Sequence, residues 1–167
     1  MIYFVTENYL KQKTPITQNV SATDVMPFIE PSASGWMQSI LGTYFFNHLL
    51  TAYNAQTLTS DEEILVEKIK PAVAWRATVD CVLGLTYQLK NKGLQKQNGD
   101  NSESVDQTET TFVMRHYEQK AEFFEMITRK YLKSNRDLFP QFTSQLNRDS
   151  ELAPQHDDNF NTDTMFI

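Results

Sequence analysis

The sequence predicts a mainly α-helical fold: a bundle of three to four helices with a short N-terminal strand and a strand-and-turn excursion between the two longest helices. Three observations support this. Apolar residues recur at three- and four-residue steps in several stretches, which is the spacing of one helix face. A hydrophobic content of 40% is typical of a chain that buries a core. Five glycines and six prolines are too few for the many tight turns of an all-β protein.

The N-terminal third is predicted to contain one strand followed by short helices. The run "MIYFV" is typical of an edge strand, and Thr6 is placed to cap a helix over "TENYLKQK". A helical turn, "VMPFIE", is then interrupted at Pro31. Residues 36–54 follow as one amphipathic helix that contains Gly42. Because glycine inside a helix costs about 1 kcal/mol relative to alanine, we expect another backbone to approach closely there.

A long helix is predicted to begin near residue 60, where Ser60 and Glu63 have the spacing of a capping box. It should run to about Leu89 or Lys90. We expect a kink or break near residue 70, because Pro71 lacks a backbone N–H and its ring clashes with the preceding turn. Gly93, which follows two lysines, is the expected C-terminal signal.

A second long helix is predicted over about residues 108–134. Asn135 is expected to end it in a left-handed cap, and Pro140 prevents its continuation. Phe123 and Met126 should lie beside its buried stripe. The residues of that stripe are Val113, Tyr117, Phe124, Ile127 and Tyr131.

The polar segment 91–109 is interpreted as an excursion within one domain, residues 1–146, because the one-sided apolar stripes of the flanking helices need each other as partners. "LQKQ" suits a short strand and "NGD" a tight turn. A mobile surface loop is the alternative interpretation. If the excursion contacts a neighbouring protein, the residues expected to do so are Lys96, Gln97, Asn98, Gly99 and Asp100.

Residues 147–167 are interpreted as an acidic C-terminal arm, since five carboxylates and one arginine place −4 of the net charge of −6 there. A net negative chain is a poor candidate for gripping nucleic-acid phosphates. The arm is either a disordered, solubilising terminus or a segment that anchors in grooves of another protein. Its anchoring residues would be Phe160, Met165, Phe166 and Ile167.

The sequence predicts no catalytic, cofactor-binding or metal site, and we expect no enzymatic activity. Cys81, the single cysteine, lies among helical apolar residues, where a thiol is usually a small core side chain. The three histidines, His48, His116 and His156, have no metal-ligand spacing. No stretch approaches the roughly 20 apolar residues of a membrane helix. One cysteine and no signal-peptide pattern suggest a soluble intracellular product.

Three stretches together carry a resemblance: "VTENYLKQKTPITQNV", "MPFIEPSASGWMQSILGTYFFNHLL" and "KYLKSNRDLFPQF". Their order and spacing resemble the head-to-tail connector adaptors of tailed bacteriophages, in the branch of crAss-like phages and Bacteroidetes prophages. The resemblance covers residues 3–142. The alanine-rich run after the proline is only partly kept, as "PAVAWRAT", and the tail after about residue 147 is not covered. The matching residues are Leu10, Lys11, Thr14, Pro15, Asn19, Val20, Ile29, Ile40, Leu41, Gly42, Thr43, Phe46, Leu50, Pro71, Leu132, Asn135, Phe139, Pro140 and Phe142.

The resemblance implies a structural virion protein without enzymatic activity or cofactor. Such adaptors form a ring, twelve copies in the usual case, beneath the portal protein, and they present a platform for the next tail or ring protein. Genomic DNA would pass through the lumen without sequence-specific binding. Localisation would be the head–tail connector region of the virion, after assembly in the bacterial host cytoplasm.

Two other functions stay open from the sequence. One is a cytosolic helical regulatory or adaptor module that binds one protein partner through its C-terminal arm. The other is a small helical enzyme that uses His116 with a nearby carboxylate, which only the residue types favour.

Overall fold

A computed structural model describes residues 2–90, 93–96 and 107–154, and these are mainly α-helical, as the sequence predicts. Four of the described helices have ten residues or more. The elements up to residue 86 are α1 (Glu7–Lys13), α2 (Ala22–Pro31), a π-helical segment (Ser32–Met37), α3 (Gln38–Leu41), α4 (Thr43–Ala55) and α5 (Ser60–Thr86). They are followed by strands β1 (Tyr87–Lys90) and β2 (Gly93–Lys96), then α6 (Gln107–Ser134), a 3₁₀ turn (Arg136–Leu138), α7 (Pro140–Thr143) and α8 (Gln145–Arg148).

The expected N-terminal strand is not found: residues 2–6 contain no strand. Their backbone is bound by side chains of α4 instead. Asn54 accepts from the Ile2 N–H and donates to the Ile2 carbonyl, and the Tyr53 hydroxyl donates to the Phe4 carbonyl. Phe4 has φ +61°, a left-handed conformation that no regular strand contains. This backbone is fixed because Phe4 and Val5 are buried in the core.

The single helix predicted over residues 36–54 is divided at Gly42, which has φ +83° and separates α3 from α4. On the N-terminal side, α2 ends at Pro31, but helical structure does not end there, because the π-helical segment follows directly. Thr6 caps α1 by accepting from the Tyr9 N–H, as predicted.

Helix α5 is continuous through Pro71, so a break near residue 70 is not found, and the alternative of a kink there stays a prediction. Pro71 deprives the Glu67 carbonyl of its intrahelical donor. The adjacent carbonyl, of Lys68, accepts a hydrogen bond of 3.1 Å from Thr128 of α6. Helix α5 contacts α1, α2, the π-helical segment and α6, which makes it the centre of the bundle.

Helix α5 ends at Thr86, three or four residues earlier than predicted, and Gly93 is not its cap. The chain continues directly into β1, which pairs antiparallel with β2 so that Leu89 faces Leu94 and Lys90 faces Gly93. The predicted excursion over residues 91–109 lies mostly outside the described residues.

Helix α6 has nearly the predicted bounds, and it packs mainly against α5. Its fully buried line runs through Ala121, Thr128 and Leu132, whereas all five residues of the predicted stripe are only partly buried. Small residues occupy the contact line because α5 approaches there. Asn135 has φ −126° and is not a left-handed cap; Pro140 begins α7.

The hydrophobic core lies where α4 and α5 meet the N-terminal segment and the turns after α6. Phe45 packs against Phe139 and Phe142 with ring centroids 5.9 and 5.7 Å apart. On the other side of α4, Phe46 meets Phe4 edge-on at 5.7 Å. These contacts hold both ends of the described chain against α4.

Candidate interaction surface

The side chains that could form a reaction centre are considered by residue type and burial in the described part of the chain, and none of them forms a metal site or a reactive thiol. They contain no group of three or more histidine, cysteine or acidic side chains placed to hold a metal ion. Cys81 is buried, and burial, together with the nearby Asp80 carboxylate, raises the pKa of its thiol to about 12. A thiol with that pKa stays protonated at neutral pH and is a poor nucleophile.

His48 and Glu62 form a close polar pair, with 2.6 Å between His48 Nε2 and Glu62 Oε1. The other carboxylate oxygen accepts from the backbone N–H and the hydroxyl of Thr59, and the Thr59 hydroxyl accepts from the Glu62 N–H. This is a capping box, one residue earlier than the predicted pair Ser60 and Glu63. Burial favours a higher pKa for Glu62, but the hydrogen bonds from Thr59 and His48 outweigh it and hold the pKa below its usual value. The pair therefore fixes the start of α5.

A second polar cluster joins the π-helical segment, α5 and α6. The Arg76 guanidinium lies 5.8 Å from the Trp36 ring centre and 3.2 Å from a Glu118 carboxylate oxygen. Asp80 lies one turn further along α5. Burial raises the pKa of Asp80, and the Arg76 charge and a hydrogen bond with Ser32 partly offset that rise. The cluster fixes the relative position of three elements through Arg76.

The Gly42 turn is held by a side chain from the far end of the described chain. Asn147 is fully buried; its Oδ1 accepts from the Phe45 N–H at 3.0 Å, and its Nδ2 donates to the carbonyls of Leu41 at 2.9 Å and Phe142 at 3.0 Å. A Cβ on Gly42 would lie 2.4 Å from Asn147 Oδ1. The expected close approach at Gly42 is thus made by an amide side chain. No sequence pattern pairs residues 105 positions apart.

The C-terminal segment extends the same contact. The backbone N–H of Thr43 donates to the Leu152 carbonyl at 2.9 Å, and the Leu152 N–H donates to the Thr43 hydroxyl at 3.0 Å. The described residues after 146 therefore pack on α4. Whether an arm begins at residue 147 stays a prediction, and residues 155–167 lie beyond the described chain.

An open groove of about 320 Å³ lies beside the connection from α4 to α5. Lys70 pairs with Glu67 and also lies 5.5 Å from the Tyr53 ring centre, so these charges of the groove are paired with each other. The groove has no nucleophile and base in contact. Its lining residues are Tyr53, Gln56, Leu58, Glu63, Val66, Glu67 and Lys70.

The side of α6 that faces away from α5 is the candidate interaction surface. Phe112 is 74% exposed and Phe123 is 51% exposed. They are 11 residues apart, which is about three helical turns, so both project in the same direction. Met126 and Ile127, one turn beyond Phe123, are half-buried. We call these four residues the outer face of α6. Large apolar side chains grouped on one exposed side mark a surface that another chain covers.

Of the residues that the sequence singled out for interaction, only Lys96 is described. It ends β2 opposite Tyr87. The remaining residues of that set, Gln97, Asn98, Gly99, Asp100, Phe160, Met165, Phe166 and Ile167, lie outside the described residues. The sequence pattern does not reveal the outer face of α6, because the apolar residues of this helix are expected to form or flank a buried stripe. The signal that distinguishes it is Phe112, which lies opposite the small residues of the contact line.

The chain was compared with known families, curated proteins and solved structures. A family model described as a family of unknown function, DUF6712, matches residues 37–151. That range begins at the end of the π-helical segment and includes Gly42 and Asn147. No curated protein and no solved structure matches the chain. No helix in the described part of the chain has the length and apolar character needed to span a membrane.

Proposed function

The chain belongs to the DUF6712 family, whose function is unknown. We propose that it is a structural virion protein, a head-to-tail connector adaptor. In this role it forms a ring of twelve copies below the portal, extends the DNA channel and provides a platform for the next tail component. The proposal includes no enzymatic activity and no cofactor. The observation that carries it is the ordered series of motifs along residues 3–142 that resembles connector adaptors.

The location of the motif residues supports this use of the resemblance. Their apolar members lie in one core, and Gly42 and Thr43 form the turn held by Asn147 and Leu152. The buried motif residues therefore stabilise the fold of one subunit. Contacts between subunits would be made by other, exposed residues. The buried motif residues are Leu10, Ile29, Ile40, Leu41, Phe46, Leu50, Leu132 and Phe139.

A ring subunit needs two different contact surfaces, because head-to-tail packing around a rotation axis joins unlike faces. One candidate is the outer face of α6. A second is the Gly42 turn, where Tyr44, Leu146 and Leu152 are exposed although neighbouring backbone is held in place. The hairpin of β1 and β2 continues from α5 and would reach a neighbouring subunit or the portal. These features suit assembly better than catalysis.

The acidic character of the chain also suits a DNA channel. Basic walls would hold the phosphates, whereas weakly acidic walls would let them slide. This part of the proposal fails if the lumen of the assembled ring is lined with lysine and arginine.

Co-assembly with a portal protein from the same genome tests the proposal. Light scattering should give a monomer or weak oligomer for the chain alone and a defined multi-copy complex when the portal is added. Substitution F112S with F123S should reduce the complex if the outer face of α6 is a subunit contact. The matched control is M26S, since Met26 is exposed on α2. No complex with the portal under any condition would reject the proposal.

Gene order separates this function from the regulatory alternative. Neighbouring portal and capsid genes favour the connector, whereas a neighbouring toxin gene favours a regulator. Deletion of residues 159–167 should weaken assembly if the C-terminal arm anchors in another virion protein. Unchanged assembly of that truncated chain would reject the arm.

A further inference from the structure

The outer face of α6 has a basic border. Arg115, Lys130 and Lys133 project within about 60° of the direction of Phe112 on a helix of 3.6 residues per turn. All three are exposed, and none has an ion-pair partner among the residues that the structure describes. Glu109 is the acidic residue on that side. A chain with net charge −6 thus presents a predominantly basic strip around its exposed apolar side chains.

The acidic residues on the flanks of α6 do not cancel this strip. Glu118 is bound to Arg76, and Glu125 accepts from Arg129 at 2.6 Å. Glu122 is exposed about 80° from Phe112, on the side of Arg115 and Lys133, and its charge is offset by Lys120, which is exposed about 80° from Phe112 on the other side. A partner that fits the outer face should therefore combine apolar anchors with negative charge.

We propose that the outer face of α6 is the docking site for residues 155–167 of the same chain. This segment carries four large apolar residues, Phe160, Met165, Phe166 and Ile167, together with Asp157, Asp158 and Asp163. Its chemistry is complementary to the surface: apolar anchors meet Phe112 and Phe123, and carboxylates meet the basic border.

The length of the segment suits this site. The Phe139 ring contacts both Phe45 of α4 and Tyr131 of α6, so the region to which Leu152 is hydrogen-bonded lies near the C-terminal end of α6. Thirteen extended residues span up to roughly 45 Å. The distance along α6 from Lys130 to Phe112 is about 27 Å. The segment can therefore run from Pro154 along the whole outer face.

The spacing of the anchors also fits. Phe160 and Phe166 are six residues apart, which is about 20 Å in an extended chain. Phe112 and Phe123 are about 16 Å apart along the helix, and Ile127 lies about 6 Å further. Tethering favours this occupant over a free protein, because a short linker gives an effective concentration in the millimolar range. The inference concerns the isolated chain and does not depend on the ring.

Photo-cross-linking in the full-length chain tests the proposal. A benzophenone amino acid is placed at position 160 or at position 166, and the cross-linked peptides are identified by mass spectrometry. The expected products join these positions to α6 between residues 108 and 130. A probe at position 146, where Leu146 is exposed on α8, is the matched control and should not label that range. Absence of α6 products from both tail positions would overturn the proposal.

Two further experiments test whether the cross-link depends on charge and whether it forms within one chain. Charge reversal by R115E with K130E should lower the α6 cross-link yield several-fold, and added salt should do the same. The variant K13E changes one exposed charge on α1 and should leave the yield unchanged. An equal yield in R115E with K130E would contradict the electrostatic part. A mixture of ¹⁵N-labelled and unlabelled chains should give products within one chain only; products that join the two would overturn the same-chain assignment.

Discussion

Removal of the Asn147 amide tests the contact that holds the two ends of the matched region together. The substitution N147A deletes three hydrogen bonds and leaves the Phe45 N–H and the Leu41 and Phe142 carbonyls without that partner. Each lost bond of this kind costs about 1 kcal/mol, and a buried group left unsatisfied costs more. Because two of the three bonds are buried, we expect a loss of about 3–4 kcal/mol in the free energy of unfolding. For a chain of 167 residues this corresponds to a fall in Tm of roughly 6–16 °C.

Urea unfolding followed by circular dichroism and tryptophan fluorescence measures this loss. The matched control is Q145A on the same short helix, whose side chain bonds only to exposed Asp149. That variant should change the free energy of unfolding by no more than about 0.5 kcal/mol. A loss below about 1 kcal/mol for N147A would refute the reasoning, since it would mean that water or a shifted backbone satisfies all three groups.

Three further predictions concern close approaches and pH. G42A should destabilise the chain by about 3 kcal/mol, because it combines a positive φ with a Cβ placed 2.4 Å from Asn147. G84A should destabilise it by about 1–2 kcal/mol despite the higher helix propensity of alanine, because the added Cβ would lie 2.0 Å from the Phe28 ring. E62Q should reduce the dependence of the free energy of unfolding on pH at acid pH. The pKa of Glu62 is lowered in the folded chain, so this carboxylate stabilises the fold above its unfolded-state pKa. That stabilisation is lost as the pH falls through the folded-state pKa.

Each of these has an internal check. The double variant G42A with N147A should lose less free energy of unfolding than the two single variants together, because N147A removes the side chain with which the new Cβ would clash. If the two losses are fully additive, the contact between residues 42 and 147 is contradicted. G35A should be nearly neutral, since nothing lies within 4 Å of a Cβ there. For E62Q, urea midpoints measured from pH 7 to pH 3 should converge with the wild type at low pH. Parallel profiles would mean that Glu62 titrates alike in both states.

The helical class and the long helices were predictable, because their signal is local. Helix α6 has nearly the predicted bounds, and Thr6 caps α1 as expected. Local rules also misplaced several features. Pro71 does not break α5, although it leaves the Glu67 carbonyl without its intrahelical donor. The N-terminal run is not a strand, since Tyr53 and Asn54 bind its backbone.

The interaction surface was harder to predict than the fold. An apolar period on α6 indicates a helix, but it does not say which apolar residues face α5. The structure places Ala121 and Thr128 at the contact and leaves Phe112 exposed, because close approach favours small residues. Asn147 could not be found either, as two of its three partners, Phe45 and Leu41, lie about 100 residues earlier in the chain.

Electron microscopy of the chain mixed with a portal protein from the same genome is the decisive measurement for the connector proposal. The expected result is a closed ring below the portal, coaxial with it, in which each copy has the Gly42 turn intact and the outer face of α6 covered. Twelve copies are expected. A portal that never carries this chain, or a chain that binds singly and without rotational symmetry, would contradict the proposed function.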